Sequence, residues 1–224
     1  MTIILKKKKE SKISDLASAN LDTIGVRIPN NTTALKLIKS FGKPIAAPSA
    51  NTSSSLSPTE ANHVYEYFEN DKNLSIILDG GSTQIGLEST IINLDNDKIE
   101  ILRYGGVSAE ELKEKFPQKV INIEQKSNEI IIAPGMLSRH YSPTVPLRIN
   151  AKKAEKNELL IGFGPNYNAP NLSFDGSLVE AASNLFSFLA KYQKKYSKIA
   201  IAPIPNKGIG RAINDRIKRA TSKN

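Results

Sequence analysis

Short apolar runs alternate with helix-forming stretches along almost the whole chain, and that alternation constrains the fold more than any other feature. TIGVRIP (23–29), KPIAAPS (43–49), LSIILDG (74–80), STIINL (89–94) and IEILRYG (99–105) have the length and the β-branched content of strands. Between the first two, NTTALKLIKSFG (31–42) sets Ala34, Leu35, Leu37, Ile38 and Phe41 on a helical period, and Gly42 stands where such a helix stops. Ser57-Pro58-Thr59-Glu60 reads as a capping box opening a helix through ANHVYEYFE, with proline at the first helical position. Ser108-Ala109-Glu110-Glu111 does the same for ELKEKF. Strands interleaved with helices make the class α/β.

From 118 to 146 the alternation dissolves into turn-forming residues around one apolar insert, EIIIA (129–133), which reads as a linker. Beyond it, PLRI, ELLIGFG, a helix from Ser177 to Tyr196 with Ser177 and Glu180 as its capping box, KIAIAPIP and GRAINDRIKRAT form a small Rossmann-like unit. The expected organisation is a larger portion over 1–117, the linker over 118–146 and a small β/α domain over 147–224.

The net charge of +9 suggests nucleic acid until it is located. Lys6, Lys7, Lys8, Lys9 and Lys12 crowd one end, six Lys or Arg from Lys207 onward crowd the other, and the remaining charges balance. A duplex-binding face spreads its cations over one surface of the fold, so the distribution weakens an RNA-binding module as a reading but keeps it as the alternative. With no cysteine, disulfides and thiolate metal sites are excluded, and His63 and His140 are too few for a histidine-rich metal site. No run approaches the roughly 18 apolar residues of a membrane span, and TIIL is too short for a signal-peptide core, so a cytoplasmic protein with no membrane partner is expected.

Four stretches have chemistry in them. PIAAPSANTSSSLSPTEA (44–61) ends an apolar run in Ser49 and brings Ser57 to a helix start, where free N–H groups and the helix dipole attract anions. DGGSTQIGLESTIINL (79–94) carries glycines that let a ligand approach the backbone, then Ser89 and Thr90. ILRYGG puts Arg103 at a strand end, able to grip a phosphate or carboxylate. APGMLSRHYSP (133–143) packs Arg139, His140 and Tyr141 between prolines, dense for a tether.

In this order, PIAAPSAN, SPT, LDGG with GLEST, ILRYGG and PGMLSRHYSP resemble the YrdC-like threonylcarbamoyl-AMP synthases, in the long form with a linker and C-terminal domain; GIGRAINDRIKRA is similar to that domain. The resemblance covers essentially the whole chain. It implies a partial YrdC-like twisted mixed sheet with helices plus the small Rossmann-like domain. It implies synthesis of threonylcarbamoyl-AMP and pyrophosphate from L-threonine, bicarbonate and ATP, with Mg²⁺ accompanying the ATP, for modification of tRNA adenosine 37. The attacking oxygen belongs to the substrate carbamate, so no protein nucleophile and no protein-held metal is expected. Carried over by motif, Thr2, Ser49, Ser57 and Arg103 contact ATP, joined by Arg139 and Tyr141 of the linker, while Lys6, Ala47 and Ser89 line the threonine pocket. His63 is expected at the surface, and Lys7 to Lys9 as solvated side chains with nothing to fix them. MTIILK resembles a family motif joined halfway, which implies an N-terminally truncated or split form completed by a separate fragment, or else an inactive one.

Overall fold

The computed structural model describes residues 1–52, 55–95, 97–122 and 142–221. They gather into two units interleaved along the chain, Met1–Ala47 with Glu88–Leu137 and Pro48–Leu87 with Ser138–Asn224. The insert at 129–133, Arg139, His140 and Tyr141 lie outside the described residues.

In the first unit, β1 (Thr2–Lys6), β2 (Thr23–Val26), β3 (Ile91–Asp95), β4 (Lys98–Arg103) and β5 (Val120–Asn122) form one sheet in the order β2-β1-β3-β4-β5. β1 runs antiparallel to β2 and parallel to β3, β3 is antiparallel to β4, and β4 is parallel to β5, so the sheet is mixed. Period-two alternation decides its faces. Ile92, Ile99 and Ile101 are buried against Ala109 and Leu112 of the helix Ala109–Lys115, with Ile3 and Val107 around them. Ile4, Ile91 and Leu102 form a smaller cluster. The helix over 109–115 starts where the sequence places it: Glu111 N–H donates to Ser108 Oγ (3.2 Å), and Ser108 N–H donates to the Glu111 carboxylate (2.7 Å).

Several expectations are corrected here. The runs 43–49 and 74–80 form no strand. Pro44 and Pro48 withhold two ladder donors from the first run, and no described strand lies beside the second, which leaves Ile76 72% exposed. α1 (Thr32–Phe41) forms with Asn31 as its cap and Gly42 at φ 70°, yet none of its residues is buried, and Phe41 is 59% exposed. Val120–Asn122 is a strand where a linker was expected, because three residues are too few to show a period but enough to pair in parallel beside β4. Lys7 is fixed after all: its Nζ donates to Asp15 Oδ1 and to Ser18 Oγ, both at 2.9 Å.

The second unit holds α2 (Ala61–Phe68), then β6 (Leu147–Arg148), β7 (Leu159–Ile161) and β8 (Ile199–Ile201) in a parallel sheet of order β6-β8-β7. The central strand is apolar at every position, as a parallel strand covered on both faces must be. With the helix α3 taken as Ala109–Lys115, α4 is Leu178–Tyr192 and α5 is Gly210–Thr221. Leu185, Phe186 and Leu189 of α4 and Ile213 and Ile217 of α5 close the core over the sheet. Leu56 is buried in the same core and its carbonyl accepts from the Tyr67 hydroxyl (3.0 Å), which ties α2 and its approach to this unit. α4 is shorter than expected, and its cap is not a reciprocal box. Glu180 N–H donates to Ser177 Oγ (3.3 Å), but the Glu180 carboxylate accepts from Ser173 Oγ (2.6 Å), which also takes the Ser177 N–H.

Between β6 and β7, the Glu158 carboxylate accepts from Arg148 Nε (3.0 Å) and Nη2 (2.5 Å) and from Glu155 N–H (2.9 Å), with its side chain only 3% exposed. The Arg148 hydrogen bonds hold its carboxyl below the ordinary carboxylate range. A carboxyl depressed in the folded state stabilises the fold above its unfolded value, and that contribution is lost as pH falls through the depressed one. The melting temperature is therefore expected to fall more steeply in the wild type than in Glu158→Gln as pH drops below the unfolded glutamate value of about 4.3. Parallel curves would show that the pair has no such linkage.

Candidate functional site

Ser89 is the point on which one end of the first sheet converges. It sits just before β3, and the adjacent Thr90 carbonyl accepts the Thr2 N–H at the start of β1 (2.7 Å). From the end of β4, Arg103 donates through Nε (3.2 Å) and Nη2 (2.8 Å) to the Ser89 carbonyl oxygen. From just beyond β2, Arg27 Nη1 donates to Ser89 Oγ (2.9 Å). Four segments thus meet at the pair Ser89-Thr90.

The turn after β4 clamps it. Thr90, fully buried, donates its hydroxyl to the Val107 carbonyl (2.6 Å) and accepts the Val107 N–H (2.9 Å), and Gly106 N–H donates to the Glu88 carbonyl (3.3 Å). Gly105 faces this backbone so closely that a Cβ there would stand 2.2 Å from the Glu88 oxygen and 2.4 Å from the Ser89 carbonyl carbon. Here the glycine is required by contact with backbone. The register shift between Ile91 and Ile92 lies at the same spot, where bulges tend to re-aim side chains.

Of the residues expected at the site, Thr2, Ser89 and Arg103 are brought together. Arg103 is 9% exposed and spends two nitrogens on the Ser89 carbonyl, which makes it a brace of the pocket wall as well as a cation. Lys6 is exposed at the far end of β1, roughly 13 Å from Thr2 at the rise of a strand, and borders an open hollow of about 600 Å³ with Leu5, Ile24 and Val26. Ala47 is exposed in irregular backbone. In the second unit Ser49 is exposed, and Ser57 is half-buried in a cleft of about 150 Å³ with His63, Glu66, Tyr67 and Lys194. Ser57 does not cap α2. The helix begins at Ala61 with Glu60 before it and no side-chain cap, and Thr59 N–H donates to the His63 ring (3.3 Å). His63 is thereby engaged with the approach to its own helix. Arg27 was missed by sequence reasoning; its signal is the cation in TIGVRIP, directly after a strand.

A wall with two guanidinium groups and a hydroxyl, fixed by a buried threonine and a glycine contact, suits a small carboxylate or phosphate. Among the described residues no three His, Asp or Glu converge to hold a metal ion, and no helix is long and apolar enough to cross a membrane. Fold and site together define an α/β protein with a mixed sheet, a separate parallel β/α unit and a donor-rich wall suited to an anion.

Comparison with known proteins narrows the class. The family model described as telomere recombination, the Sua5, YciO and YrdC group, matches residues 1–105, and the one described as the threonylcarbamoyl-AMP synthase C-terminal domain matches 107–222. The threonylcarbamoyl-AMP synthase of Pyrococcus abyssi is 34% identical over 99% of this chain and 70% of its own length. That of Bacillus subtilis is 34% identical over 98% and 69%. The crystal structure of the P. abyssi Sua5 protein complexed with L-threonine superposes with a TM-score of 0.82 at 32% identity, over 98% of this chain and 69% of that one. A variant of the same protein with a His-Tyr pair replaced by alanines gives 0.81 at 31%. The chain belongs to the threonylcarbamoyl-AMP synthase family and is by family an enzyme, with ATP as substrate.

Proposed function

We propose that the end of the sheet at Ser89 is the L-threonine subsite of this synthase, and that the convergence of Arg27 and Arg103 on Ser89, with the start of β1 held on the next residue, Thr90, is the observation that carries the reading. The solved relative complexed with L-threonine supports it. Bicarbonate condenses with the threonine amine to a carbamate with loss of water, and a carbamate oxygen attacks the α-phosphorus of ATP as pyrophosphate leaves. Nothing in that step needs a protein nucleophile, so the protein contributes position and neutralised charge. Ser49, Ser57, Arg139 and Tyr141 remain the proposed ATP contacts, Ser57 now through its cleft and not as a helix cap. Lys6 and Ala47 are proposed as outer members of the threonine pocket. Mg²⁺ is proposed to arrive with the ATP, bound through its phosphates.

The product serves tRNA modification in the cytoplasm. A further polypeptide segment is proposed to complete the pocket, supported by the exposed apolar residues of α1 and by the unpaired run after Lys43. The test is pyrophosphate release by the protein purified from its own cells, so that any companion comes with it. Release is expected only with ATP, L-threonine and bicarbonate together; release that ignores threonine overturns the reading.

A further inference from the structure

Residues 191–224 hold ten of the chain's 31 Lys and Arg but one of its 22 Asp and Glu, so the other residues balance at 21 of each and this stretch carries the whole net charge of +9. The fold gathers these cations. α4 and α5 start side by side, with a Cβ at Gly210 standing 3.2 Å from Leu178 Cδ2, and both pack on the parallel sheet. At a rise of 1.5 Å per residue they run about 22 and about 18 Å to the same edge, where β8 begins. Lys191, Lys194, Lys195 and Lys198 share that edge with Lys218 and Arg219. The acids near them are already engaged: Glu66 accepts from Lys194 (2.7 Å), Asp215 from Arg219 (2.9 Å), and Glu158 from Arg148. Helix dipoles favour the cations in the last turns, Lys191, Lys218 and Arg219, but Lys195 and Lys198 are exposed beyond the end of α4.

Aromatic rings run through the same edge. Phe188 packs against the core and meets Tyr192 edge to face at 5.7 Å, and Tyr192 meets Tyr196 at 6.1 Å. Lys191 covers a face of Tyr192, 5.4 Å from its centroid, whereas Tyr196 ends the ladder 42% exposed between Lys195 and Lys198. A braced ring flanked by cations is what an unpaired base and its two phosphates need: the base stacks, and the charges neutralise the backbone on either side. A membrane surface would ask for aliphatic side chains, and the exposed one on α4, Val179, stands at the opposite end of the helix. We infer that this edge of the second unit binds single-stranded RNA, with Tyr196 as the stacking platform and Lys195 and Lys198 on the flanking phosphates. Neither α4, β8 nor α5 carries a residue proposed for the threonine or ATP contacts, so the inference stands apart from the reading of Ser89.

Fluorescence anisotropy of the full chain tests this with three probes: a labelled RNA hairpin with a seven-nucleotide loop, the same stem as a blunt duplex, and vesicles containing phosphatidylserine. The wild type is expected to bind the hairpin more tightly than the duplex. Tyr196→Ala should weaken the hairpin about tenfold and the duplex little, while Tyr196→Phe, which keeps the ring, should bind as the wild type does. Lys195→Gln Lys198→Gln should flatten the dependence of log K on log salt by about 1.4, two phosphate contacts at roughly 0.7 each. Lys8→Gln Lys9→Gln, at the other basic end of the chain, should leave hairpin binding unchanged. Melting temperatures confirm that each variant is folded. Absence of hairpin binding at low salt, equal affinity for hairpin and duplex, a Tyr196→Ala variant that binds normally, or an equal loss in Lys8→Gln Lys9→Gln would overturn the inference. Binding to the vesicles without binding to the hairpin would also overturn it and make the edge a membrane-surface patch.

Discussion

Alanine at Gly105 is expected to abolish measurable L-threonine binding and to lower stability by about 3 kcal/mol or more. The added methyl would meet the Glu88 oxygen at 2.2 Å, the Thr90 nitrogen at 2.3 Å and the Ser89 carbonyl carbon at 2.4 Å. All three are backbone atoms, so no side chain can rotate to make room. The strand entry must move, and it carries Ser89 away from Arg27 and breaks the Thr90 to Val107 clamp. Alanine at Gly81 is the control. It has φ 80° and nothing within 4 Å of an added Cβ, so it pays for backbone strain alone, on the order of 1 kcal/mol. Equal effects of the two substitutions would show that the contact at Gly105 is unimportant.

Arg103→Ala is expected to weaken L-threonine at least as much as ATP and to cost the fold about 2–3 kcal/mol. The guanidinium is nearly buried, and its two bonds to the Ser89 carbonyl are charge-assisted; removing it leaves that oxygen without them. Lysine is a poor rescue because a single ammonium does not reproduce the planar fork. Titrations of both ligands and a denaturant melt separate the outcomes. A variant of normal stability that loses ATP alone would return Arg103 to the purely nucleotide-binding role that its motif suggests.

The fold was legible where local chemistry acts alone. The 108–111 capping box, the stop at Gly42 and the apolar centre of β8 follow from short-range rules, and the structure has them. Long-range pairing was not legible. KPIAAPS reads as a strand by composition, but a strand needs a neighbour, and composition does not say whether one is present. Ser57 failed for a related reason: its capping box competes with the Thr59 to His63 hydrogen bond, a contact four residues apart that no motif announces. At the site, Ser89 and Arg103 were visible through their glycine-rich surroundings. Arg27 was passed over because its position after a strand is a weak signal by itself and its partner lies 62 residues away. Motifs mark residues that lie close in sequence; the geometry that joins Arg27 to Ser89 exists only after β1 has inserted between β2 and β3.

Tracing labelled bicarbonate into nucleotide product tests the account most directly. The protein purified from its own cells is incubated with ATP, L-threonine and [¹⁴C]bicarbonate, and the products are separated and weighed by mass spectrometry. Label in a species with the mass of threonylcarbamoyl-AMP is expected, dependent on all three substrates and lost in Gly105→Ala. Label that enters nucleotide without L-threonine, or no labelled nucleotide from a preparation that binds both ATP and L-threonine, would contradict it.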